Sequence, residues 1–365
     1  MATYPRTRNR GVSPRHSLML VLLLTLVGLL GGCGASTTTG SSHPSGPTPT
    51  TTRGLKGMIS EFPLPASNAQ TGDITVGPDN SLWSTEVIPN AQSGKIVGKI
   101  GRITPDGQIS EFLLPSNSFA ASITTGRDGN LWFIEPGKIG RITPAGQISE
   151  FPLSSNSASG DITTGPDNAL WFTEVIPNVQ NASITGKIGR ITPAGQISEF
   201  PLPTPGSHLL GITTGPDGNL WFTEATINEC QSGKIGRLTP AGKVSEFPLS
   251  SDSSPVSITT GPDSKLWFTE SACAKGQSGK IGRITPSGTI SEFPLSSNNQ
   301  PGDITVGPDG NLWFTGSQIG RITPSGRVSE FPMPTPSSNP GGITTGPDDA
   351  LWFTEYQSNK IGRLT

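Results

Sequence analysis

The chain has 365 residues, of which 47 are glycine and 35 proline, and only 14% are charged. This composition is typical of many short strands and tight turns rather than of helices. The formal net charge is -2, so the sequence gives no sign of the basic surface that a nucleic-acid-binding protein presents.

Residues 1–32 are predicted to be an export signal. Arginines precede an apolar run at 17–30 that is too short to span a membrane stably. The run leads to Leu-Gly-Gly before Cys33, which resembles a bacterial lipobox, so we expect Cys33 to become a lipidated N-terminus. The alternative is an ordinary secretory signal with an incidental cysteine. The lipobox places the protein outside a bacterial membrane, held there through its lipid anchor only.

Residues 33–54 consist of Ser, Thr, Gly and Pro with hardly a large apolar side chain. Such a segment cannot bury a core and is predicted to be a flexible tether. His43 lies in it, and we expect no catalytic role for that residue. The folded domain is predicted to span residues 55–365.

One repeated stretch organises this domain, and its clearest copy is Gly-Pro-Asp-Gly-Asn-Leu-Trp-Phe-Thr-Glu at 215–224. Each copy is followed by a run like Lys-Ile-Gly-Arg-Ile-Thr and then by Ile-Ser-Glu-Phe-Pro-Leu. The repeat contains all seven tryptophans of the protein, which are Trp83, Trp132, Trp171, Trp221, Trp267, Trp313 and Trp352. Self-similarity at this period predicts an array or a propeller.

Each repeat predicts four antiparallel strands. In the fourth repeat, the small residues Gly211–Gly215 suit a crowded innermost strand, and the aromatic segment Leu220–Glu224 suits the second. Lys234–Thr239 is the third strand and Lys243–Leu249 the fourth. Pro248 cannot donate to a ladder, so the fourth strand is expected at an outer edge. Tight Pro-Asp-Gly and Pro-Ala-Gly turns join the first strand to the second and the third to the fourth.

Four strands in a unit of roughly 40–50 residues form the blade of a β-propeller, and the sequence predicts an all-β, seven-bladed ring. The domain begins with a fourth strand, Gly57–Leu64, and ends with a third, Lys360–Thr365. We therefore expect the N-terminal strand to complete the last blade. An open β-solenoid is the alternative, but the two chain ends favour closure. We expect the protein to be a monomer.

The connections that vary between repeats are predicted to lie together on one face of the ring. Variable loops on a rigid scaffold are where binding sites are usually built. We expect this face to bind a small molecule, a peptide or a cell-envelope component. It carries the loops 87–98, 175–186, 225–233 and 271–279 and the segments 65–72, 115–121, 154–160, 203–210, 250–256, 296–302 and 334–341.

Repeated charges near this face have a structural interpretation. Nearly every second strand ends in Glu and nearly every third strand begins with Lys, which predicts a cross-strand pair of little energetic worth if exposed. In the sixth repeat both are lost together, at Gly316 and Gln318. Paired carboxylates for acid–base chemistry are the alternative. The turn aspartates and the Ile-Gly-Arg arginines are also predicted to be structural.

Residues that open the inner strands differ between blades and should ring one mouth of the central channel. In chain order they are Asp73, Ser122, Asp161, Gly211, Ser257, Asp303 and Gly342. Three carboxylates there could bind Mg²⁺ or Ca²⁺, and a hydrated polar rim is the alternative. His208 is the single histidine of residues 55–365 and lies in a variable segment before an inner strand. It is a weak catalytic candidate, and a surface position is its alternative.

Cys230 and Cys273 fall in the same loop of consecutive repeats. Equivalent loops of neighbouring blades are adjacent, so a disulfide is expected in an oxidising compartment. Two free thiols are the alternative.

The repeat Ile-Thr-x-Gly-Pro-Asp-Gly-x-Leu-Trp-Phe-Thr-Glu followed by Lys-Ile-Gly-Arg-Ile-Thr resembles the virginiamycin B lyase, or streptogramin lyase, family over residues 57–365. The resemblance implies a seven-bladed propeller and a Mg²⁺-dependent elimination that opens the ester of type B streptogramins. It also implies catalytic histidines and a glutamate before the inner strands, in a pattern like Glu-x-His-Gly-Ile.

This chain departs from that pattern. No histidine occurs two residues before the inner-strand isoleucine, where the chain has Gly72, Ala121, Gly160, Leu210, Val256, Gly302 and Gly341. His208 stands four before, where the resemblance implies Glu. Two hypotheses remain: a lipid-anchored binding propeller without lyase chemistry, and a divergent lyase that uses His208, Asp161, Asp303 or a loop carboxylate and a metal.

Overall fold

Seven four-stranded antiparallel sheets make up the computed structural model of the chain. The structure describes residues 55, 57–66, 68–90, 95–115, 118–154, 157–178, 183–226, 233–250, 253–273, 276–296 and 299–365. Within these ranges there are 28 strands and no helix. The predicted all-β, seven-bladed propeller is therefore confirmed. A helix able to cross a bilayer is likewise not found within those ranges.

Each sheet is one blade, and its strands follow one another from the channel outwards. Strand β1 (Ile59–Pro63) stands apart in sequence and belongs to blade 7. Blade 1 contains β2 (Gln70–Val76), β3 (Leu82–Asn90), β4 (Lys95–Ile103) and β5 (Ile109–Leu113). Blade 2 contains β6 (Ser122–Thr125), β7 (Leu131–Glu135), β8 (Lys138–Ile142) and β9 (Ile148–Pro152). Blade 3 contains β10 (Ala158–Thr164), β11 (Leu170–Asn178), β12 (Ser183–Ile191) and β13 (Ile197–Pro201). Blade 4 contains β14 (Ser207–Thr214), β15 (Leu220–Thr226), β16 (Lys234–Leu238) and β17 (Val244–Pro248). Blade 5 contains β18 (Ser253–Thr260), β19 (Leu266–Ala272), β20 (Lys280–Ile284) and β21 (Ile290–Pro294). Blade 6 contains β22 (Ile304–Val306), β23 (Leu312–Phe314), β24 (Ile319–Ile322) and β25 (Val328–Phe331), and blade 7 contains β26 (Pro340–Thr345), β27 (Leu351–Glu355) and β28 (Lys360–Leu364).

Strand β1 closes the ring as the sequence predicts. It pairs with β28, with Glu61 opposite Gly362. The Met58 N–H donates to the Thr365 carbonyl at 3.2 Å, and the Thr365 N–H donates to the Met58 carbonyl at 3.0 Å. Gly57 supplies the positive φ of 74° that the Pro-x-Gly turn requires in the other blades. The closure between the two chain ends therefore reproduces an ordinary blade turn.

In blades 1, 3, 4, 5 and 7 the inner strands start earlier than predicted and contain a bulge. In blade 4, β14 begins at Ser207, and its pairing with β15 shifts between Leu209 and Ile212. The extra residue in the bulge leaves a backbone N–H without a ladder partner. In blade 4 that N–H belongs to Gly211, and it donates to the Thr223 hydroxyl at 2.8 Å. The repeated Phe-Thr-Glu threonine is thus explained by the bulge.

This threonine also joins neighbouring blades. The Thr223 hydroxyl donates at 2.8 Å to the carbonyl of Val256 in blade 5. The Thr354 hydroxyl makes the same bond at 2.7 Å to Gly72 in blade 1, across the closure of the ring. Blade 2 has Ile134 in this position, and there Ser122 pairs directly with Ile134 without a bulge.

The core lies between the blades, in one cluster per interface. Trp221 and Ile235 of blade 4, for example, pack with Ile258, Leu266 and Phe268 of blade 5. The phenylalanine of each Trp-Phe-Thr-Glu also lies flat on the glycine of its own Ile-Gly-Arg run. An added Cβ would stand about 2 Å from the ring at these glycines, which are Gly140, Gly189, Gly236, Gly282, Gly320 and Gly362.

The constant turns on the opposite face carry an aromatic and charged stack. In blade 4 the Trp221 indole N–H donates to Asp217 at 3.0 Å, and Arg237 lies over the rings of Trp221 and Phe247 at 5.4 and 5.6 Å. The Arg237 guanidinium also donates to the carbonyl of Pro286 in blade 5 at 3.0 Å. These contacts explain the repeated aspartate and arginine as structural groups, as predicted.

Candidate functional site at the mouth of the channel

The residues that open the inner strands converge around the channel, as predicted. The Ser122 hydroxyl lies 2.7 Å from an oxygen of Asp73 and 2.7 Å from an oxygen of Asp161, and its one hydrogen can be donated to either of these aspartates of blades 1 and 3. Ser257 donates in the same way to Asp303 of blade 6 at 2.6 Å. Residues that open the inner strands of different blades therefore turn their side chains towards one another.

Each aspartate ties its own blade to the next. One Asp161 oxygen accepts the N–H of Ile162 at 2.8 Å, and the other accepts the N–H of Ile212 in blade 4 at 2.9 Å. Asp73 and Asp303 repeat this pattern with Ile74 and Ile123 at 2.7 and 2.9 Å, and with Ile304 and Ile343 at 2.8 and 2.9 Å. All six carboxylate oxygens are thereby engaged by protein donors.

The three aspartates hold protons more tightly than ordinary carboxyl groups. Burial, followed by the charges of Asp303 and Asp161, raises the pKa of Asp73 to about 7. Burial raises the pKa of Asp161 to about 6, and it also raises the pKa of Asp303. The N–H and hydroxyl donors counteract part of this effect because they favour the charged form.

The donor set does not fit the Mg²⁺ or Ca²⁺ ion considered above. A hard cation needs six to eight oxygen ligands directed at one point, whereas these carboxylates are directed at backbone N–H groups. Across the ranges that the structure describes, no group of three or more His, Cys, Asp or Glu side chains is arranged to hold a metal ion. The metal site at Asp73, Asp161 and Asp303 stays a prediction for titration to test.

His208 lies on β14, opposite Ala225 of β15, with its side chain half-buried. Burial alone lowers the pKa of this imidazole, so the neutral form is favoured. No carboxylate of the described chain contributes to this shift. A catalytic histidine is usually oriented by an acidic partner, and no carboxylate within the described ranges acts on His208 in this way.

The Glu–Lys row at the variable face differs from the exposed pairs expected from the sequence. Glu224 lies opposite Lys234 as predicted, but its side chain is buried, and Lys234 makes its shorter contact of 2.7 Å with Glu246 of the fourth strand. The Lys234–Glu224 distance is 3.4 Å. Burial raises the pKa of Glu224, while a 2.6 Å hydrogen bond from Ser207 opposes the rise. Each such lysine therefore bridges two strands from inside the blade.

The variable face is uneven. Blades 1 and 3 carry the longest hairpins, in which β3 pairs with β4 as far as Asn90 and β11 with β12 as far as Asn178. Blade 2 stands between them, and its hairpin closes directly from Glu135 to Lys138. The hairpins of blades 1 and 3 therefore project further from the variable face than the short hairpin of blade 2.

Several predicted residues fall outside the described part of the chain. These are the signal segment, Cys33, most of the tether and Cys230. Cys273 is disulfide-bonded, which agrees with the expected oxidising compartment. Its pairing with Cys230 remains a prediction.

Sequence reasoning placed Ser122 at the channel mouth but did not foresee its contacts with two aspartates, and it missed the threonine of Phe-Thr-Glu as a member of the site. Ser122 joins two blades, and Thr173 sets the bulge by accepting the Asp161 N–H at 2.8 Å. The sequence did single out this threonine, because six repeats have it and only blade 2 has Ile134 in its place. That the threonine hydroxyl accepts the free N–H of a bulge could be recognised only once the bulge was known.

Solved structures similar to this one include enzymes of known activity. A catalytically inactive histidine-to-alanine variant of virginiamycin B lyase from Staphylococcus aureus, solved with quinupristin, is 38% identical; the alignment covers 84% of this chain and 99% of that one, with a TM-score of 0.71. A streptogramin B lyase structure is 35% identical over 84% of this chain and 97% of that one, with a TM-score of 0.69. The WD40 propeller of Doa1 is 11% identical, with a TM-score of 0.59 and coverage of 84% and 97%, which shows a shared fold alone.

None of the curated proteins is similar enough to the chain to count as a match. The model of the virginiamycin B lyase family matches residues 51–230 and 185–365, which together cover most of the chain. This match and the two lyase structures agree with the blade count, the ring closure and the repeat motifs. The chain therefore belongs to the virginiamycin B lyase family.

Proposed function

We propose that the protein is a binding propeller that uses its variable face to hold a ligand or a cell-envelope partner, without the elimination chemistry of its lyase relatives. The observation that carries the proposal is that every carboxylate oxygen of Asp73, Asp161 and Asp303 accepts a backbone hydrogen bond, and that one oxygen of each accepts it from the next blade. A carboxylate that accepts two backbone N–H groups is fixed in place and is not free to act as a base on a substrate.

The backbone at the inner-strand openings gives further support. At Gly160 an added Cβ would stand 2.1 Å from the Thr173 hydroxyl, and at Gly72 it would stand 2.6 Å from Thr85. These are two of the positions at which the resemblance implies histidine. Here the glycine is packed against the threonine that sets the bulge, so the space for an imidazole is already used.

Binding is supported by the shape of the variable face. The hairpins of blades 1 and 3 rise on either side of blade 2, and the segments before the inner strands differ in every blade. Sites built from loops on a rigid scaffold can change ligand without changing the fold. The fold and the family therefore do not identify the ligand, which depends on the composition of the loops.

The same proposal places the protein outside a bacterial membrane, anchored through lipid on Cys33. Metabolic labelling with a fatty acid tests this location. Labelled wild-type protein and unlabelled Cys33→Ala protein are expected. An unlabelled wild-type protein that is released into the medium would contradict the anchor.

Quinupristin is the natural probe for the absence of lyase chemistry, because an inactive relative was solved with it. We expect the protein to leave quinupristin intact in the presence of Mg²⁺, as judged by mass spectrometry. An active streptogramin B lyase provides the positive control under the same conditions. Accumulation of linearised quinupristin would overturn the proposal.

A divergent lyase is the second candidate, and the 38% identity to a virginiamycin B lyase favours it. In that case His208 would act as the base together with Asp161, Asp303 or a loop carboxylate. Ring opening that requires Mg²⁺ and is lost in His208→Ala would support this candidate. Ring opening that survives in His208→Ala would remove His208 from the mechanism.

A further inference from the structure

Blade 1 departs from the other blades at two positions that face its neighbour. Ser84 stands where the other second strands have a phenylalanine that covers the Ile-Gly-Arg glycine. Ala69 stands where Ser207 and Ser253 donate to the glutamates of blades 4 and 5. Blade 1 therefore lacks both the ring and the hydroxyl that surround the strand-ending glutamate elsewhere.

Glu86 occupies the space that the phenylalanine leaves. An added Cβ at Gly101 would stand 2.0 Å from the Glu86 Oε1 and 2.8 Å from the Ser84 hydroxyl. At the equivalent Gly236 of blade 4, the nearest atoms belong instead to the ring of Phe222, at 2.1 Å. The Glu86 carboxyl has thus turned into the blade, where the other blades have an aromatic ring.

The carboxyl is buried there with its hydrogen-bonding capacity unfilled. Glu86 is 1% exposed, and neither of its oxygens has a hydrogen-bond partner with good geometry among the described residues. The same holds for Glu111 Oε1 and for the Thr71 hydroxyl. Leaving a buried polar atom without a partner costs about 1–3 kcal/mol, so four such atoms on one blade face require an explanation.

The pairing of the strands brings these groups to one face of blade 1. Ser84 is opposite Gly101, which in turn is opposite Glu111, and Glu86 is opposite both Thr71 and Lys99. Directly opposed residues of an antiparallel sheet share a face. Lys99 binds the Oε2 of Glu111 and so satisfies one of the two acids. One positive charge thus serves the buried carboxyl of Glu86 and the half-buried carboxyl of Glu111.

We propose that Glu86 and Glu111 form a proton-binding site in which one proton is shared between the two carboxyl groups. A protonated carboxyl has an O–H donor, and Glu111 Oε1 is an acceptor with no other partner among the described residues. The proton also balances the charge of the cluster, because Lys99 neutralises only one of the acids. The site lies on the face of blade 1 where the ring closes.

The closure interface packs apolar side chains against this face of blade 1. Ile74 and Leu82 on this face of blade 1 pack with Trp352 and Ile361 of blade 7, which are uncharged. The charged groups that act on Glu86 are Glu111 and Lys99. On blade 7, Arg363 is opposite Trp352 but binds Asp348 at 2.7 Å. Ionisation of Glu86 would therefore leave a buried charge at the junction of blades 7 and 1.

The direction of the pH effect follows from linkage. Burial, and then the charge of Glu111, raises the pKa of Glu86 from 4.5 to about 7. Between these values the folded protein binds a proton that the unfolded chain has lost, so the contribution of Glu86 to stability falls as the pH rises. The contribution is fully present below pH 4.5 and is lost as the pH passes about 7. The ring closure is expected to be tightest in mildly acidic surroundings.

Glu86→Gln tests the site, because an amide can donate to Glu111 without a titrating proton. We expect the melting temperature of the variant to exceed that of wild type by roughly 3–6 °C at pH 8 and by little at pH 5. Glu224→Gln is the matched control, because Glu224 accepts a hydrogen bond from Ser207 and lies near Lys234. Its effect should change less with pH. Parallel melting curves for wild type and Glu86→Gln across this range would overturn the proposal.

Infrared spectroscopy of the full chain gives a second readout that does not depend on stability. At pH 5 the protonated carboxyl of wild type should contribute an absorption that disappears in Glu86→Gln, and part of it should be lost from wild type by pH 8. An unchanged carboxylic acid absorption in Glu86→Gln would contradict the shared proton, whatever the melting temperatures.

Discussion

Asn299 donates a hydrogen bond from Nδ2 to Glu330 Oε1 at 2.7 Å in blade 6, the blade whose second and third strands lack the usual Glu–Lys pair. The same side chain accepts the N–H of Ser317 through Oδ1 at 3.3 Å. An added Cβ at Gly316 would stand 2.3 Å from this Oδ1. The joint replacement of Glu and Lys by Gly316 and Gln318 is therefore compensated by one buried amide.

Asn299→Ala should destabilise blade 6, because it removes the acceptor of the Ser317 N–H and one of the two side-chain donors to Glu330, the other being Ser296. We expect a loss of about 1–3 kcal/mol in the free energy of unfolding, measured by denaturant titration. Asn219→Ala is the control, because Asn219 makes an exposed hydrogen bond to Asp217. Equal losses in the two variants would contradict the role of Asn299.

The same relationship predicts that the effects of substitutions at Asn299, Gly316 and Gln318 are not additive. Gly316→Glu alone should be destabilising, since its Cβ meets Asn299. In the triple variant Asn299→Ala, Gly316→Glu, Gln318→Lys, the ordinary Glu–Lys pair can form, and the cost should be smaller than the sum of the separate costs. Additive losses in a mutant cycle would show that Asn299 does not replace the pair.

Asp161→Ala should weaken the junction between blades 3 and 4, because it removes the acceptor of the Ile212 N–H. We expect a loss of about 1–3 kcal/mol in the free energy of unfolding. Asp106→Ala is a suitable control, since Asp106 lies in an exposed turn and binds only Gln108 among the described residues. A loss within ~0.5 kcal/mol for Asp161→Ala would mean that the carboxylate does not clamp the blades.

Asp161→Asn should change the pH dependence of stability. The folded pKa of Asp161 is raised by burial from 3.8 to about 6, so the folded protein retains this proton over a range in which the unfolded chain has lost it. Its contribution to stability therefore falls as the pH rises from about 4 to about 6, and the asparagine variant lacks this fall. Unfolding measured at pH 4 and pH 7 should show a flatter profile for the variant. A profile parallel to wild type would refute the raised pKa.

Arg237→Ala should destabilise the protein through the constant face. The guanidinium lies over Trp221 and Phe247 and donates to the Pro286 carbonyl. We expect a loss of about 1–2 kcal/mol, and Arg237→Lys should recover only part of it, because an ammonium lacks the planar contact. Lys243→Ala, at an exposed position nearby, should have little effect. Full recovery by lysine would show that charge alone matters.

The ring could be predicted from the sequence because its signals are local and repeated. Pro248 marks an outer strand, Gly57 supplies a turn, and the run at the C-terminal end lacks a fourth strand that the N-terminal end provides. Each of these features has one geometric meaning in an antiparallel blade. Repetition then extends the assignment from one blade to seven.

The site was harder to predict because its contacts run between blades. Nothing near Asp161 in sequence indicates that its carboxylate accepts the N–H of Ile212, which is 51 residues away. The sequence predicted the pairing of Glu224 with Lys234 but left its exposure open, and the structure shows that Glu224 is buried. Glu86 repeats the motif of the other blades, and its inward turn depends on Ser84 and Ala69, which lie on two different strands.

The most direct test of the central claim is mass spectrometry of quinupristin incubated with the protein and Mg²⁺, beside an active streptogramin B lyase. Our account predicts that the antibiotic stays cyclic with this protein, because the channel-mouth carboxylates are fixed between blades and His208 has no acidic partner in the described chain. Formation of the linear product at a rate that scales with protein concentration would contradict it.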